Sequence, residues 1–179
     1  MRKLLIVVDM QKDFIDGALG TPEAQAIVEN VVDVIMQYPK EDIFATRDTH
    51  PENYLETQEG RNLPVVHCVK GTPGWELDPR VQQALRGAEI VDKPTFGSTV
   101  LAEKIARIAE KEPVEVTLVG LCTDICVVSN ALLIKAFLPE VPVKVIASCC
   151  AGVTPESHQK ALDTMRMCQV AVQADHENG

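Results

Sequence analysis

The chain has 179 residues, 46% of them hydrophobic and only 4% aromatic, with a formal net charge of -9. That length suits a single domain, 1–179, with a core of mostly Val, Ile, Leu and Ala. The acidic balance excludes nucleic acid and anionic membrane as partners, because both demand a basic surface.

Arg2 and Lys3 precede an apolar run at 4–8 that stops at Asp9. The run is too short for a signal peptide, and no small-residue cleavage site follows it. No stretch approaches the roughly 18 apolar residues of a membrane helix. These features predict a cytoplasmic protein.

Residues 4–8 predict a buried strand. Residues 22–38 carry Ile27, Val28, Val31, Val32 and Ile35 at helical spacing and predict one helix. Residues 43–45 predict a short strand, 64–69 another strand, 78–85 a short helix and 89–91 a strand. Residues 98–110 predict a helix with Leu101, Ile105 and Ile108 on one face. A strand at 114–119, a helix at 124–138, a strand at 143–147, a helix at 155–167 and a strand at 170–172 complete the set. The tail from Gln173 to Gly179 is polar.

Thr21, Asp78 and Thr154 each stand before a proline, which marks three helix starts. The apolar strand runs do not alternate with polar residues, so the strands are covered on both faces. Strands that alternate with helices imply right-handed βαβ units. The predicted class is therefore α/β: a three-layer, doubly wound fold with a mostly parallel central sheet of about six strands and helices on both faces.

In such a sheet the ligand site lies beyond the carboxyl ends of the strands. Asp9, Asp48, His50, His67, Lys93 and the segment "GLCTDICV" (120–127) all fall at or near predicted strand ends. With Thr123 as helix cap, Cys126 sits in the first helical turn. There the helix dipole and free N–H groups favour a thiolate and can hold an oxyanion. On position alone, the reading of Cys126 as an ordinary buried residue prevails. Asp9, desolvated at the end of a buried strand, has the character of a proton acceptor. Lys93 supplies positive charge, although surface lysines are commoner.

Asp48, His50 and His67 form a second group. Two imidazoles and a carboxylate suit a divalent transition metal with open positions: zinc first, with iron and manganese also compatible. Glu59, in the intervening loop, is a candidate fourth or outer ligand. His158 and His176 read as surface residues. The six cysteines, Cys68, Cys122, Cys126, Cys149, Cys150 and Cys168, contain no C-x-x-C pair, so no zinc finger is present.

Five segments appear in an order that identifies a family: "IVVDMQKDF" (6–14), "RDTHPENY" (47–54), "VVHCVKGTPGWEL" (65–77), "VDKPTFGST" (91–99) and "LVGLCTDICVVSNA" (118–131). Through them the chain resembles the isochorismatase-like cysteine hydrolases, and within these the nicotinamidase/pyrazinamidase branch. The resemblance implies a catalytic triad of Asp9, Lys93 and Cys126. It also implies a non-proline cis peptide before Cys122, with the N–H groups of Cys122 and Cys126 forming an oxyanion hole. Phe14 and Phe96 match positions whose aromatics sandwich the substrate ring. An aromatic common in relatives before the second metal histidine is replaced here by Leu63-Pro64-Val65, for which Trp75 is the candidate substitute.

The implied activity is deamination of nicotinamide, or a related amide such as pyrazinamide, through a thioester. The implied partners are a small-molecule amide and further copies of the chain in a homo-oligomer. Superfamily members that cleave N-carbamoyl or ureido groups use the same triad but generally lack the metal ligands. A non-catalytic, ligand-binding or regulatory relative and a thiol redox protein using Cys122 and Cys126, or Cys149 and Cys150, are the remaining alternatives; the complete triad argues against the first.

Overall fold

The computed structural model describes residues 1–175; His176 and the end of the polar tail lie outside them. Six parallel strands form one sheet: β1 (Arg2–Val8), β2 (Ile43–Asp48), β3 (Glu89–Lys93), β4 (Val114–Leu121), β5 (Val143–Ala151) and β6 (Ala171–Gln173). Their order across the sheet is β3-β2-β1-β4-β5-β6. The chain winds outward from β1 in one direction, then crosses over to β4 and winds outward in the other. The switch point therefore lies between β1 and β4, where such sheets open a crevice.

Helices α1 (Lys12–Ile15), α2 (Pro22–Ala26), α3 (Val28–Ile35), α4 (Gln58–Asn62), α5 (Pro79–Leu85), α6 (Thr99–Ala109), α7 (Val128–Phe137) and α8 (Pro155–Met167) complete the fold. The central strand β1 shows why there are three layers. Leu5 and Val7 pack with Val28, Val31 and Ile35 of α3 and Val81 and Leu85 of α5. Leu4, Ile6 and Val8 point the other way, to Leu101 and Ile105 of α6, Ala131 and Ile134 of α7, and Leu162 and Met165 of α8. All five apolar residues of β1 are fully buried, which explains an unbroken apolar run rather than an alternating one. Thr21, Asp78 and Thr154 do cap their helices, accepting the N–H groups of Ala24, Arg80 and Ser157. No helix among the described residues is long and apolar enough to cross a membrane.

Three segments differ from the sequence expectation. Residues 22–38 form two helices, interrupted at Ile27. Ile27, Val28 and Val31 all bury in one core, so their spacing carries no sign of the break. Residues 64–69 are not a strand; a single bridge joins Val69 to His50. Cys68 there has φ 47, a left-handed conformation that no strand contains. Residues 124–138 begin not as an α-helix but as a π turn, Thr123–Val127, that leads into α7.

Gly120, in the last turns of β4, has φ 117, and a Cβ there would lie 2.2 Å from the Val8 carbonyl oxygen on β1. Only glycine permits this close approach of the two strands at the switch point. Gly120→Ala should cost about 3 kcal/mol or more and lower Tm by about 10 °C in a thermal melt.

Candidate active site

The site assembles at the carboxyl ends of four neighbouring strands. Asp9 directly follows β1, and its φ of 46 turns the chain out of the sheet. β2 ends in Asp48 and β3 in Lys93, and β4 leads into the π turn that carries Cys126. Parallel pairing puts Asp48 directly beside Lys93 and Val8 beside Gly120, so residues far apart along the chain converge.

Asp9, Lys93 and Cys126 meet in a buried cluster. The Lys93 Nζ lies 2.7 Å from Asp9 Oδ2, with both side chains inaccessible to solvent. The same ammonium donates to Cys126 Sγ at 3.4 Å and to the Thr95 carbonyl at 3.1 Å. The Thr46 hydroxyl donates to Asp9 Oδ1 at 2.6 Å and fixes the carboxylate from behind.

Burial raises the Asp9 pKa, against the opposing charge of Lys93. Burial alone would lower the Lys93 pKa, but Asp9, Cys126 and Asp48 outweigh it and keep the ammonium charged. The Cys126 thiol is pushed well above its ordinary value, first by burial and then by the Asp9 carboxylate. The sequence argument expected a thiolate favoured by the helix end. Burial and the neighbouring Asp9 reverse this and favour the thiol form of Cys126.

The peptide between Leu121 and Cys122 is cis, as the resemblance implies. Cys122, not Thr123, stands at the N-terminal boundary of the turn. The N–H groups of Ile125 and Val127 both donate to the Cys122 carbonyl. The Cys122 N–H donates to no described residue.

Beside this cluster, Asp48, His50, Glu59 and His67 converge with one donor atom each, all within 4.8 Å of one another. Nε2 of His50 lies 2.8 Å from Asp48 Oδ2 and 3.5 Å from Glu59 Oε1. Nε2 of His67 lies 3.6 Å from each of the same two oxygens. The Val65 carbonyl holds His67 Nδ1 at 2.8 Å, which leaves Nε2 to face the cluster.

Burial opposes the ionisation of Asp48, yet hydrogen bonds from His50 and His67 outweigh it and hold the carboxyl well below the usual range. Asp48 Oδ1 is buried without a hydrogen-bond partner. Asp9, Asp48 and Glu59 thus set three carboxyl groups against the one ammonium of Lys93. Two imidazoles, two carboxylates and an excess of negative charge fit a divalent metal ion.

Both clusters open onto one cavity of about 610 Å³. Asp48, Glu59, His67, Cys122 and Cys126 line one side, and Phe14, Leu63, Phe96, Ile125 and Val153 form apolar walls. Sites for small organic ligands span about 300–1,000 Å³ with this apolar character. Phe14 stands edge-on to the His67 ring, with centroids 5.5 Å apart. Phe96 is 43% exposed at the cavity mouth.

Trp75 is a correction: it does not line the cavity. Its ring lies under the Arg47 guanidinium at 3.7 Å, and its Nε1 donates to the Thr49 hydroxyl. It packs behind the strand that carries Asp48. The wall position offered to it is taken by Leu63. His158 is a second correction, since it is half-buried and its Nδ1 lies 2.7 Å from the Thr123 hydroxyl oxygen.

Other supporting residues were missed in the sequence. Gln11 is fully buried; its Oε1 accepts the Asp48 N–H, and its Nε2 donates to the Asp48 and Trp75 carbonyls. Asp13 accepts the Cys68 N–H at 2.8 Å and so anchors the loop that carries His67. Asn130 donates to the carbonyls of Cys126 and Phe96 and accepts the Ser98 N–H, tying the π turn to the segment after Lys93. For Gln11 and Asp13 a signal existed: polar residues at 9, 11 and 13 directly after a buried strand.

The family model described as "Isochorismatase domain" matches residues 3–177. The solved structure of the pyrazinamidase of Pyrococcus horikoshii in complex with zinc is 33% identical, with a TM-score of 0.76 over 97% of this chain and 100% of that one. The nicotinamidase/pyrazinamidase of Mycobacterium tuberculosis is 25% identical over 94% of this chain and 96% of that protein. The nicotinamidase of Saccharomyces cerevisiae is 32% identical over 51% of this chain and 56% of that protein. With five signature segments, a doubly wound parallel sheet and a family match over nearly its whole length, the chain belongs to the isochorismatase family.

Proposed function

We propose that the protein is a metal-assisted cysteine amidohydrolase that converts nicotinamide, or a related heteroaromatic amide such as pyrazinamide, to the acid and ammonia. One observation carries the reading: the Asp9–Lys93–Cys126 cluster and the Asp48–His50–Glu59–His67 cluster adjoin each other and meet one apolar cavity, the first through Cys126 and the second through Asp48, Glu59 and His67. A flat ring with a polar ring atom and a carboxamide can engage both clusters at once from that cavity. The names of the relatives agree with it.

In this mechanism Asp9 takes the Cys126 thiol proton as Sγ attacks the amide carbonyl carbon. The N–H groups of Cys122 and Cys126 hold the oxyanion. As the tetrahedral adduct collapses, the C–N bond breaks, and Asp9 returns the proton to the departing ammonia. Asp9 then deprotonates a water that opens the thioester, releasing the acid and restoring the thiol. Lys93 keeps the carboxylate oriented and offsets charge on sulfur. Phe14 and Phe96 hold the ring faces.

Asp48, His50, Glu59 and His67 would hold the metal ion, zinc being the best match to two imidazoles and two carboxylates. When bound, it supplies a Lewis-acidic anchor for the ring nitrogen, directly or through water, and so orients the amide.

Purified protein should release ammonia from nicotinamide. A chelator should lower that rate at least about tenfold, with recovery on adding zinc, iron or manganese. Asp48→Ala should reduce bound metal to a small fraction of the wild-type content by elemental analysis. Failure to hydrolyse any heteroaromatic amide in the metal-loaded state would refute the proposal.

A further inference from the structure

Tyr54 is among the largest fully buried side chains of the protein, yet it takes no part in the proposed chemistry. It opens a short 3-10 turn, Tyr54–Glu56, beyond the end of β2. Its ring packs edge-on to both imidazoles of the Asp48–His50–Glu59–His67 cluster, with centroids 4.7 Å from His50 and 5.0 Å from His67. Filling the space beside two histidines requires only the ring. The hydroxyl has a separate partner: it donates to the Leu63 carbonyl at 2.9 Å.

Leu63 is a wall of the substrate cavity, and it stands in a segment that packing alone holds poorly. Leu63, Pro64 and Val66 are all exposed, and residues 64–69 form no strand. The Leu63 N–H donates to the Glu59 carbonyl, and the Val65 N–H donates to the Leu63 carbonyl. Both bonds are local and move with the segment. The bond from Tyr54 is different, because it comes from a buried side chain nine residues earlier. The backbone of Tyr54 holds the other end of α4. The Thr57 hydroxyl donates to the Tyr54 carbonyl at 2.6 Å and accepts the Gly60 N–H. A Cβ at Gly60 would collide with that same carbonyl, so α4 lies tightly against it.

We propose that Tyr54 is a positioning residue whose hydroxyl, by holding the Leu63 carbonyl, sets the cavity wall against which the substrate ring packs. It acts through Leu63 and not on the reacting atoms. This inference rests on the amidohydrolase reading and adds to it a residue that governs the fit of the ring. Contacts between the wall and the ring are made in the ground state and the transition state alike. Their loss therefore appears in KM and spares kcat.

The test is a double-mutant cycle on nicotinamide hydrolysis. It measures kcat, KM and Tm, with bound metal after zinc loading read by elemental analysis. Tyr54→Phe keeps the ring and removes the hydroxyl. The Leu63 carbonyl retains the Val65 N–H, so no acceptor is orphaned and Tm should stay within a few degrees of wild type. KM should rise about three- to tenfold, the range for one lost hydrogen bond, with kcat within about twofold and zinc content unchanged. Leu63→Ala removes the wall side chain but leaves the carbonyl to Tyr54, and it should raise KM as well. In the double variant, loss of the hydroxyl should change KM by less than about twofold beyond Leu63→Ala, because no wall side chain remains to be misplaced.

An unchanged KM in Tyr54→Phe, or KM effects that simply multiply in the double variant, would overturn the inference. So would a loss of bound zinc in Tyr54→Phe, since the hydroxyl would then serve the imidazoles. A fall in Tm of more than about 10 °C would overturn it too, by assigning the hydroxyl to stability. An inactive wild type would instead overturn the amidohydrolase reading and this inference with it.

Discussion

Cys126→Ala should abolish amide hydrolysis, with a loss of about 10⁴-fold or more in kcat, and leave the fold intact. The thiol is 4% exposed and 3.4 Å from the Lys93 ammonium. No other cysteine can take its place. Cys122 faces the cavity, but the ammonium of Lys93 donates to Cys126 Sγ, and among the described residues it makes no such bond to Cys122. Cys68, Cys149 and Cys150 are buried outside the lined walls of the cavity, and Cys168 is exposed.

Removing one sulfur from the core should cost about 1 kcal/mol, a Tm change of a few degrees. Activity and stability therefore separate in this variant. Retention of more than about one percent of wild-type kcat, in protein shown by mass spectrometry to be the alanine form, would contradict nucleophilic attack by Cys126.

Asp9→Asn should also eliminate hydrolysis, by about 10²- to 10⁴-fold, the range for loss of a general base. It should at the same time make Cys126 easier to alkylate. The sign follows from the charges around sulfur. Burial and the Asp9 carboxylate both raise the thiol pKa, while Lys93 lowers it. With Asp9 neutral, the ammonium of Lys93 faces the sulfur without its 2.7 Å partner. The thiol pKa then falls and the thiolate fraction at pH 7 rises.

Iodoacetamide should therefore label Cys126 faster in the variant than in the wild type, read by peptide mass spectrometry to exclude exposed Cys168. In the wild type, labelling of Cys126 should be slow at pH 7 and rise only above the ordinary cysteine value of about 8.5. Slower labelling in Asp9→Asn would mean that Asp9 helps form a resting thiolate, contrary to the raised thiol of Cys126. Some stability should be lost as well, since breaking a buried ion pair from one side costs about 3–5 kcal/mol. Lys93 retains the Thr95 carbonyl and, at 3.8 Å, Asp48.

These predictions have the same structural origin. A carboxylate and a thiol are normally stabilised by water, and here both are enclosed. The ammonium of Lys93, 2.7 Å from Asp9 and 3.4 Å from Cys126, makes this enclosure tolerable, and in the proposed mechanism one proton moves between the two. The Asp48–His50–Glu59–His67 cluster sits next to the same ammonium through Asp48, so loss of either cluster alters the charge balance of the other.

The layered fold and the strand-end rim follow directly from the order and spacing of apolar residues. Unbroken apolar runs mean strands covered on both faces, and 3.6-residue spacing means helices laid over them. Parallel strands then bring Asp9, Asp48, Lys93 and the 120–127 segment to one edge. The caps at Thr21, Asp78 and Thr154 were legible because each bonds within three residues of itself.

What the tertiary structure alone decided is where polar side chains go when a distant partner is available. Thr123 reads as a cap from its neighbours, but its hydroxyl bonds to α8, 35 residues away. Trp75 reads as a pocket wall, but Arg47 and Thr49 draw it behind the strand. Cys126 reads as a thiolate at a helix end, but burial beside Asp9 keeps it protonated. Periodicity records which face of an element is buried. It carries no information about what lies across the gap, and the electrostatics of a buried group depend on that.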